Sequence, residues 1–201
     1  MLAPLAEYLG RLLATNERMN LTAVTEPKEA WVRHVADALS LLPHLGGLDA
    51  SSRVADVGSG GGVPGIPLAI ARPELQFTLI EATQKKATFL REAVADLGLT
   101  NVDVLPERAE SLAKLPLHRG RYNVVIARAV AKIAELVDWT APLVAPGGRE
   151  LFIKGERAPD ELAAAKKTLA RHHLLHRGTT QTATGRVVVL ERASQSPSIT
   201  R

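Results

Sequence analysis

The chain has 201 residues, a formal charge of +4, no cysteine and 3% aromatic residues, a length suited to one domain that buries a continuous core. The missing cysteine excludes a disulfide framework, a cysteine-ligated zinc site and any thiolate nucleophile, and the scarcity of rings argues against a base-stacking surface. Residues 1–10 lack the basic start and apolar run of a signal peptide, and no stretch approaches the roughly 20 apolar residues of a membrane span. A soluble cytoplasmic protein without a membrane partner is the expectation.

Leu2, Leu5, Leu9 and Leu12 recur at helical spacing, as do Trp31, Val35, Leu39 and Leu42, so two amphipathic helices open the chain. Asn20-Leu21-Thr22 lies between them, and Pro43 with Gly46-Gly47 closes the second. From residue 53 short apolar runs at 53–57, 76–81, 101–105, 122–127 and 150–154 alternate with helical patterns at 66–71, 85–97 and 130–141. That alternation builds a mostly parallel sheet with helices on both faces. A helix near 159–169 is followed by two candidate strands at 171–177 and 186–192, which read as an antiparallel hairpin. The predicted organisation is one domain, with residues 1–47 a helical extension packed on an α/β core of 53–193, and with Ser194 to Arg201 a frayed tail.

Charge is uneven along this plan. Residues 1–56 hold seven acidic and five basic side chains, whereas 149–201 hold five acidic and ten basic ones besides His172, His173 and His176. From charge alone, attraction to a polyanion such as nucleic acid and a merely solvated surface both stand.

The most informative segment runs from Val54 through Asp56, Gly58, Gly60, Gly61, Gly62, Val63, Pro64 and Gly65 to Pro67. It reads as a strand, a glycine turn and a helix start, where backbone N–H groups can approach a ligand. Residues 60–65 satisfy G-x-G-x-x-G, and Glu81 follows at the distance expected in a dinucleotide fold. Asp56 separates the readings, because D-x-G-x-G resembles the first motif of methyltransferases, in which the acid faces the cationic end of S-adenosylmethionine. A pyrophosphate gains nothing from a carboxylate there. At the end of the second strand, Glu81 is suited to accept hydrogen bonds from a ribose, and Ala109 with Glu110, beyond the third, to lie beside an adenine.

Seven strands ending in a hairpin is the Rossmann-like layout of class I S-adenosylmethionine-dependent methyltransferases. Within it, Asn20 to Val24, His34 to Leu39, Asp56 to Pro67 and Arg128-Ala129 together resemble the bacterial 16S ribosomal RNA guanine-N7 methyltransferases, the glucose-inhibited division protein B family. The resemblance implies that Gly58, Gly60, Gly62 and Val63 surround the cofactor with Glu81, Ala82, Thr83, Ala109, Glu110 and Arg128. It makes Asn20, Arg33, His34 and Lys154 candidates for the RNA-receiving face, with Asn20, Arg128 and Lys154 positioning the reactants. One departure is Thr15, where the family usually carries tryptophan before Asn16. The implied activity is methyl transfer from S-adenosylmethionine, yielding S-adenosylhomocysteine, to 16S RNA, expected within the small ribosomal subunit and by a monomer; no metal is expected.

The missing residues bear on mechanism. Methylation at pyrimidine C5 commonly needs a cysteine nucleophile, and exocyclic amines commonly rely on an Asn/Asp-Pro-Pro-aromatic segment; neither occurs here. Guanine N7 already carries an in-plane lone pair, so alignment suffices and no general base is required. Arg128 and Lys154, at the ends of predicted strands four and five, are read as holding phosphate or cofactor groups. Three rivals remain: a methyltransferase of another RNA, protein or small molecule, a nicotinamide oxidoreductase, and a non-catalytic RNA-binding protein.

Overall fold

The structure, a computed structural model, describes residues 1–194; nearly all of the predicted tail lies outside them. Helix α1 (Leu2–Met19) buries Leu5, Tyr8, Leu9 and Leu12 along one stripe, the consequence of apolar residues three and four apart. Asn20 ends it in the left-handed conformation, φ 51°, with its N–H bonded to the Asn16 carbonyl.

The second helix is interrupted where the sequence predicts a continuous one. α2 (Pro27–Ala30) starts with proline in its first turn and the Glu26 carboxylate accepting the Glu29 N–H at 2.7 Å, as a helix N-terminus favours. A π-helical turn (Trp31–Ala36) follows, in which the Asp37 N–H reaches back five residues to the Val32 carbonyl. Then come α3 (Asp37–Leu39) and a short 3-10 turn (Leu42–Leu45). Such π turns loosen the carbonyl ladder and commonly sit at functional sites; here the turn buries His34 and turns the Arg33 carbonyl towards Arg128.

The core holds β1 (Arg53–Val57), α4 (Gly65–Ala71), β2 (Gln76–Ile80), α5 (Gln84–Asp96), β3 (Val102–Leu105), α6 (Ala109–Leu112), β4 (Tyr122–Arg128), α7 (Ile133–Thr140), β5 (Val144–Lys154), α8 (Ala158–Arg171), β6 (Leu174–Gln181) and β7 (Arg186–Arg192). The sheet order is β3-β2-β1-β4-β5-β7-β6. The first five strands are parallel, and β7 is antiparallel to both β5 and β6, which is the predicted seven-stranded layout. The larger differences lie from α6 onwards. β5 begins six residues early through a register shift opposite Tyr122 and Val124. α7 begins at Ile133 rather than 130, because Ala129 takes a left-handed φ of 54° and turns the chain off the strand. α8 continues to Arg171, so β6 starts later, and α6 was not predicted.

Leu5, Tyr8, Leu9 and Leu12 belong to the same apolar cluster as Val63, Ile66, Leu79, Phe89 and Leu90, so α1 seals the glycine turn as well as covering the sheet. The strand order reverses direction between β1 and β4. In open α/β sheets ligands bind at that crevice, beyond the carboxyl ends of the strands; β1 ends here at the glycine turn and β4 at Arg128.

Candidate active site

Two cavities meet at this switch point. The larger, about 850 Å³, is walled by the glycine turn at Gly58 to Gly61 and Val63, by Leu21 to Val24, by Arg33, His34 and Asp37, and by Arg128 to Val130 and Lys154. The smaller, about 220 Å³, lies among Val57, Ile80, Ala82, Ala109, Glu110, Val130 and Trp139. Gly58, Glu81 and Val130 line both. The arrangement suits a ligand with an apolar flat end and a polar end on either side of Glu81.

Several glycines of the turn are dictated by space. A Cβ on Gly58, at φ 71°, would come within 2.8 Å of Val130 Cγ2, and one on Gly61 within 2.6 Å of Leu12 Cδ1. Gly62, at φ 94°, shapes the turn without facing either cavity. Asp56 is placed differently from the prediction that it faces a cationic ligand. It is fully buried beneath the turn, where Oδ2 accepts the Gly65 N–H at 3.0 Å and Oδ1 has no partner. Burial pushes its carboxyl up to about 7, against the opposing pull of the Gly65 N–H. In this arrangement Asp56 anchors the start of α4.

Glu81 stands at the partition. Its Oε2 accepts from Gly60 N–H at 2.9 Å and its Oε1 from Thr83 N–H at 2.7 Å. A carboxylate offers about four lone-pair sites, so acceptor capacity remains for two ligand hydroxyls. Ala82, Ala109 and Glu110, expected beside the cofactor, border the smaller cavity, whereas the Thr83 N–H donates to Glu81.

Opposite, Arg128 donates to the Arg33 carbonyl and, at 3.0 Å, to His34 Nδ1. No carboxylate pairs with it directly among the described residues, and burial lowers its pKa against the opposing pull of Tyr8, Asp37 and Asp56, as expected of a cation in a partly dry site. His34 is 1% exposed, and burial followed by the Arg128 charge lowers its pKa to about 4, so it is neutral at physiological pH. Its Nε2 lies 2.9 Å from Thr22 Oγ.

Asn20 is exposed and absent from the cavity wall, serving as the left-handed end of α1. Arg33 reaches the rim and pairs with Glu29 at 2.7 Å. Lys154, expected to hold phosphate or cofactor groups, lines the larger cavity with its ammonium already paired. Its Nζ binds Glu161 at 2.7 Å and the Ala131 carbonyl at 2.6 Å, while Glu161 also accepts the Ile133 N–H. It ties β5 to the starts of α7 and α8. Part of the C-terminal basic excess is likewise paired within the chain, although at the surface: Arg171 with Asp138 and Arg177 with Glu191, while the half-buried Arg192 donates to carbonyls. Sequence reasoning missed Thr22, Lys86, Val130, Trp139 and Arg157 as wall residues. Only Thr22 carried a signal, inside a motif already singled out.

A doubly wound sheet with an antiparallel seventh strand, and a glycine turn after β1 bonded to the glutamate that follows β2, define the class I methyltransferase fold. Solved structures share it. The ribosomal protein L11 methylase of Lactobacillus delbrueckii subsp. bulgaricus matches with a TM-score of 0.61 at 17% identity, covering 80% of this chain and 79% of its own. A methyltransferase of Aquifex aeolicus matches with a TM-score of 0.60 at 16% identity, covering 81% and 92%. The GidB family model, described as rRNA small subunit methyltransferase G, matches residues 1–189, and the chain belongs to that family. A ribosomal RNA small subunit methyltransferase G from Sorangium cellulosum is 52% identical over 197 residues, 98% of this chain and 82% of the relative. One from Roseiflexus castenholzii is 46% identical over 166 residues, 83% and 70% respectively.

Proposed function

We propose that this protein methylates N7 of a guanine in a loop of 16S RNA, in the small ribosomal subunit, with S-adenosylmethionine as donor. The cofactor's features fit the residues present. Glu81 has spare acceptor capacity for a ribose, the smaller cavity offers apolar walls to an adenine, and Arg128 offers an unpaired cation to a carboxylate. When bound, S-adenosylmethionine supplies an electrophilic methyl on a sulfonium and leaves as the thioether S-adenosylhomocysteine.

The observation that carries the N7 assignment is the commitment of the buried proton acceptors around the larger cavity. His34 is held neutral between Arg128 and Thr22, Glu81 by two backbone N–H groups, Glu161 by Lys154 and Ile133, and Asp37 by Thr182 and Thr184. Each is already held by partners of the protein itself. Guanine N7 has no proton to give, so these groups need only exclude water and align the ring, and proximity of that kind supplies roughly 7–11 kcal/mol. Arg33, Lys86 and Arg157 at the rim provide cations for phosphates. RNA is generally read where bases are unstacked, which favours a loop nucleotide.

The test is methyl transfer from labelled S-adenosylmethionine to unmodified small subunits, followed by cleavage selective for N7-methylguanosine. A single cleavage in a 16S loop is expected; label in another base, or in protein, would overturn the reading.

A further inference from the structure

Hydrogen-bond bookkeeping around Thr22 leaves one donor facing the larger cavity. The Arg128 guanidinium has only N–H groups to offer, so His34 Nδ1, 3.0 Å away, must accept. A neutral imidazole with an accepting Nδ1 carries its proton on Nε2, and that proton points to Thr22 Oγ at 2.9 Å. The same oxygen accepts the Val24 N–H at 3.0 Å. Both lone pairs of the hydroxyl are then engaged, and its own proton has no acceptor among the described residues. Thr22 is partly buried in the cavity wall. Its backbone N–H is fixed in addition by Asn16 Oδ1 at 2.7 Å, so the hydroxyl is held in place before any ligand arrives.

We propose that the Thr22 hydroxyl donates a hydrogen bond to O6 of the target guanine and thereby selects guanine over adenine. The proposal rests on the guanine-N7 reading above. Guanine presents N7 and O6 as adjacent acceptors on one edge, whereas adenine presents N7 beside an amino donor. N7 must keep its lone pair for the methyl, which leaves O6 as the acceptor beside the reacting atom. With adenine, the amino group would meet the Thr22 proton donor to donor, and both would be stranded in a partly dry site. Arg128 and His34 act through Thr22: together they fix which way its proton points.

The experiment uses small subunits reconstituted with 16S RNA that carries, at the methylated position, either guanine or 2-aminopurine, which keeps N7 and lacks O6. Wild-type protein, Thr22→Val and Thr22→Ser are compared for methyl transfer, with S-adenosylhomocysteine affinity measured by calorimetry. Wild type is expected to prefer guanine by roughly 10- to 100-fold, the range set by leaving one buried hydrogen-bonding group without its partner. Thr22→Val also removes the acceptor of the Val24 N–H and of His34, so activity on both substrates falls, but the ratio of guanine to 2-aminopurine should drop towards one; Thr22→Ser should keep the preference. A Thr22→Val protein that retains the wild-type preference, however far its activity on both substrates falls, would overturn the proposal. Failure of the N7 reading itself would show separately, as absence of N7-methylguanosine with wild-type protein.

Discussion

Tyr8 donates its hydroxyl proton to the carbonyl of Gly61 at 2.7 Å, joining the first helix to the glycine turn across 53 residues of sequence. Tyr8 is fully buried, and burial raises the pKa of its phenol, so it stays a donor at all working pH values. Tyr8→Phe keeps the ring and strands the Gly61 carbonyl. It is expected to cost about 1–3 kcal/mol in urea unfolding. It should also weaken S-adenosylhomocysteine binding, because the turn loses its outer brace; an unchanged midpoint would show that the turn holds its shape unaided.

Glu81 both braces the glycine turn and faces the two cavities. Glu81→Ala removes two backbone bonds and, with them, the proposed ribose acceptor, and S-adenosylhomocysteine affinity should fall at least roughly tenfold, the equivalent of about 1.4 kcal/mol. Calorimetry with adenosine alone should show a comparable loss.

Lys154 and Glu161 are 9% and 19% exposed in their side chains and share bonds with two backbone groups. Lys154→Met leaves Glu161 as a poorly solvated anion, so a loss of about 1–3 kcal/mol in stability is expected. The salt dependence of RNA binding should stay that of wild type, since this cation is already neutralised. A slope shallower by about one unit would restore Lys154 as a phosphate contact.

Glu150, on β5, is fully buried, with Oε1 2.7 Å from Thr140 Oγ and Oε2 without a partner. Burial pushes its carboxyl from 4.5 up to about 8. Between those values the folded state holds a proton that the unfolded state has released, so this group's contribution to stability is full below pH 4.5 and lost as pH rises through about 8. Glu150→Gln cannot ionise. Its urea midpoint should exceed that of wild type at pH 9 and approach it at pH 5; parallel pH profiles would contradict the assignment.

The alternation of short apolar runs with helical ones was sufficient for the seven-stranded layout, because strand and helix periods follow from local sterics. The glycine turn and Glu81 were legible for a related reason: a backbone brought close to a ligand tolerates few side chains, and the sequence around Gly58 and Gly61 records that constraint. Partnership was not legible. Whether Lys154 meets a phosphate or Glu161, whether Asp56 faces a ligand or the Gly65 N–H, and which atom Thr22 is left to address all depend on what the fold packs alongside. The interrupted second helix has the same origin. Its residues have ordinary helical spacing, but the contact from Arg128 to the Arg33 carbonyl crosses 95 residues of chain. Local sequence thus set the elements and the glycine turn, whereas the tertiary structure decided which charges are neutralised and which donors and acceptors are left facing the cavity, since hydrogen bonds and ion pairs act only between groups that folding brings within about 3–4 Å.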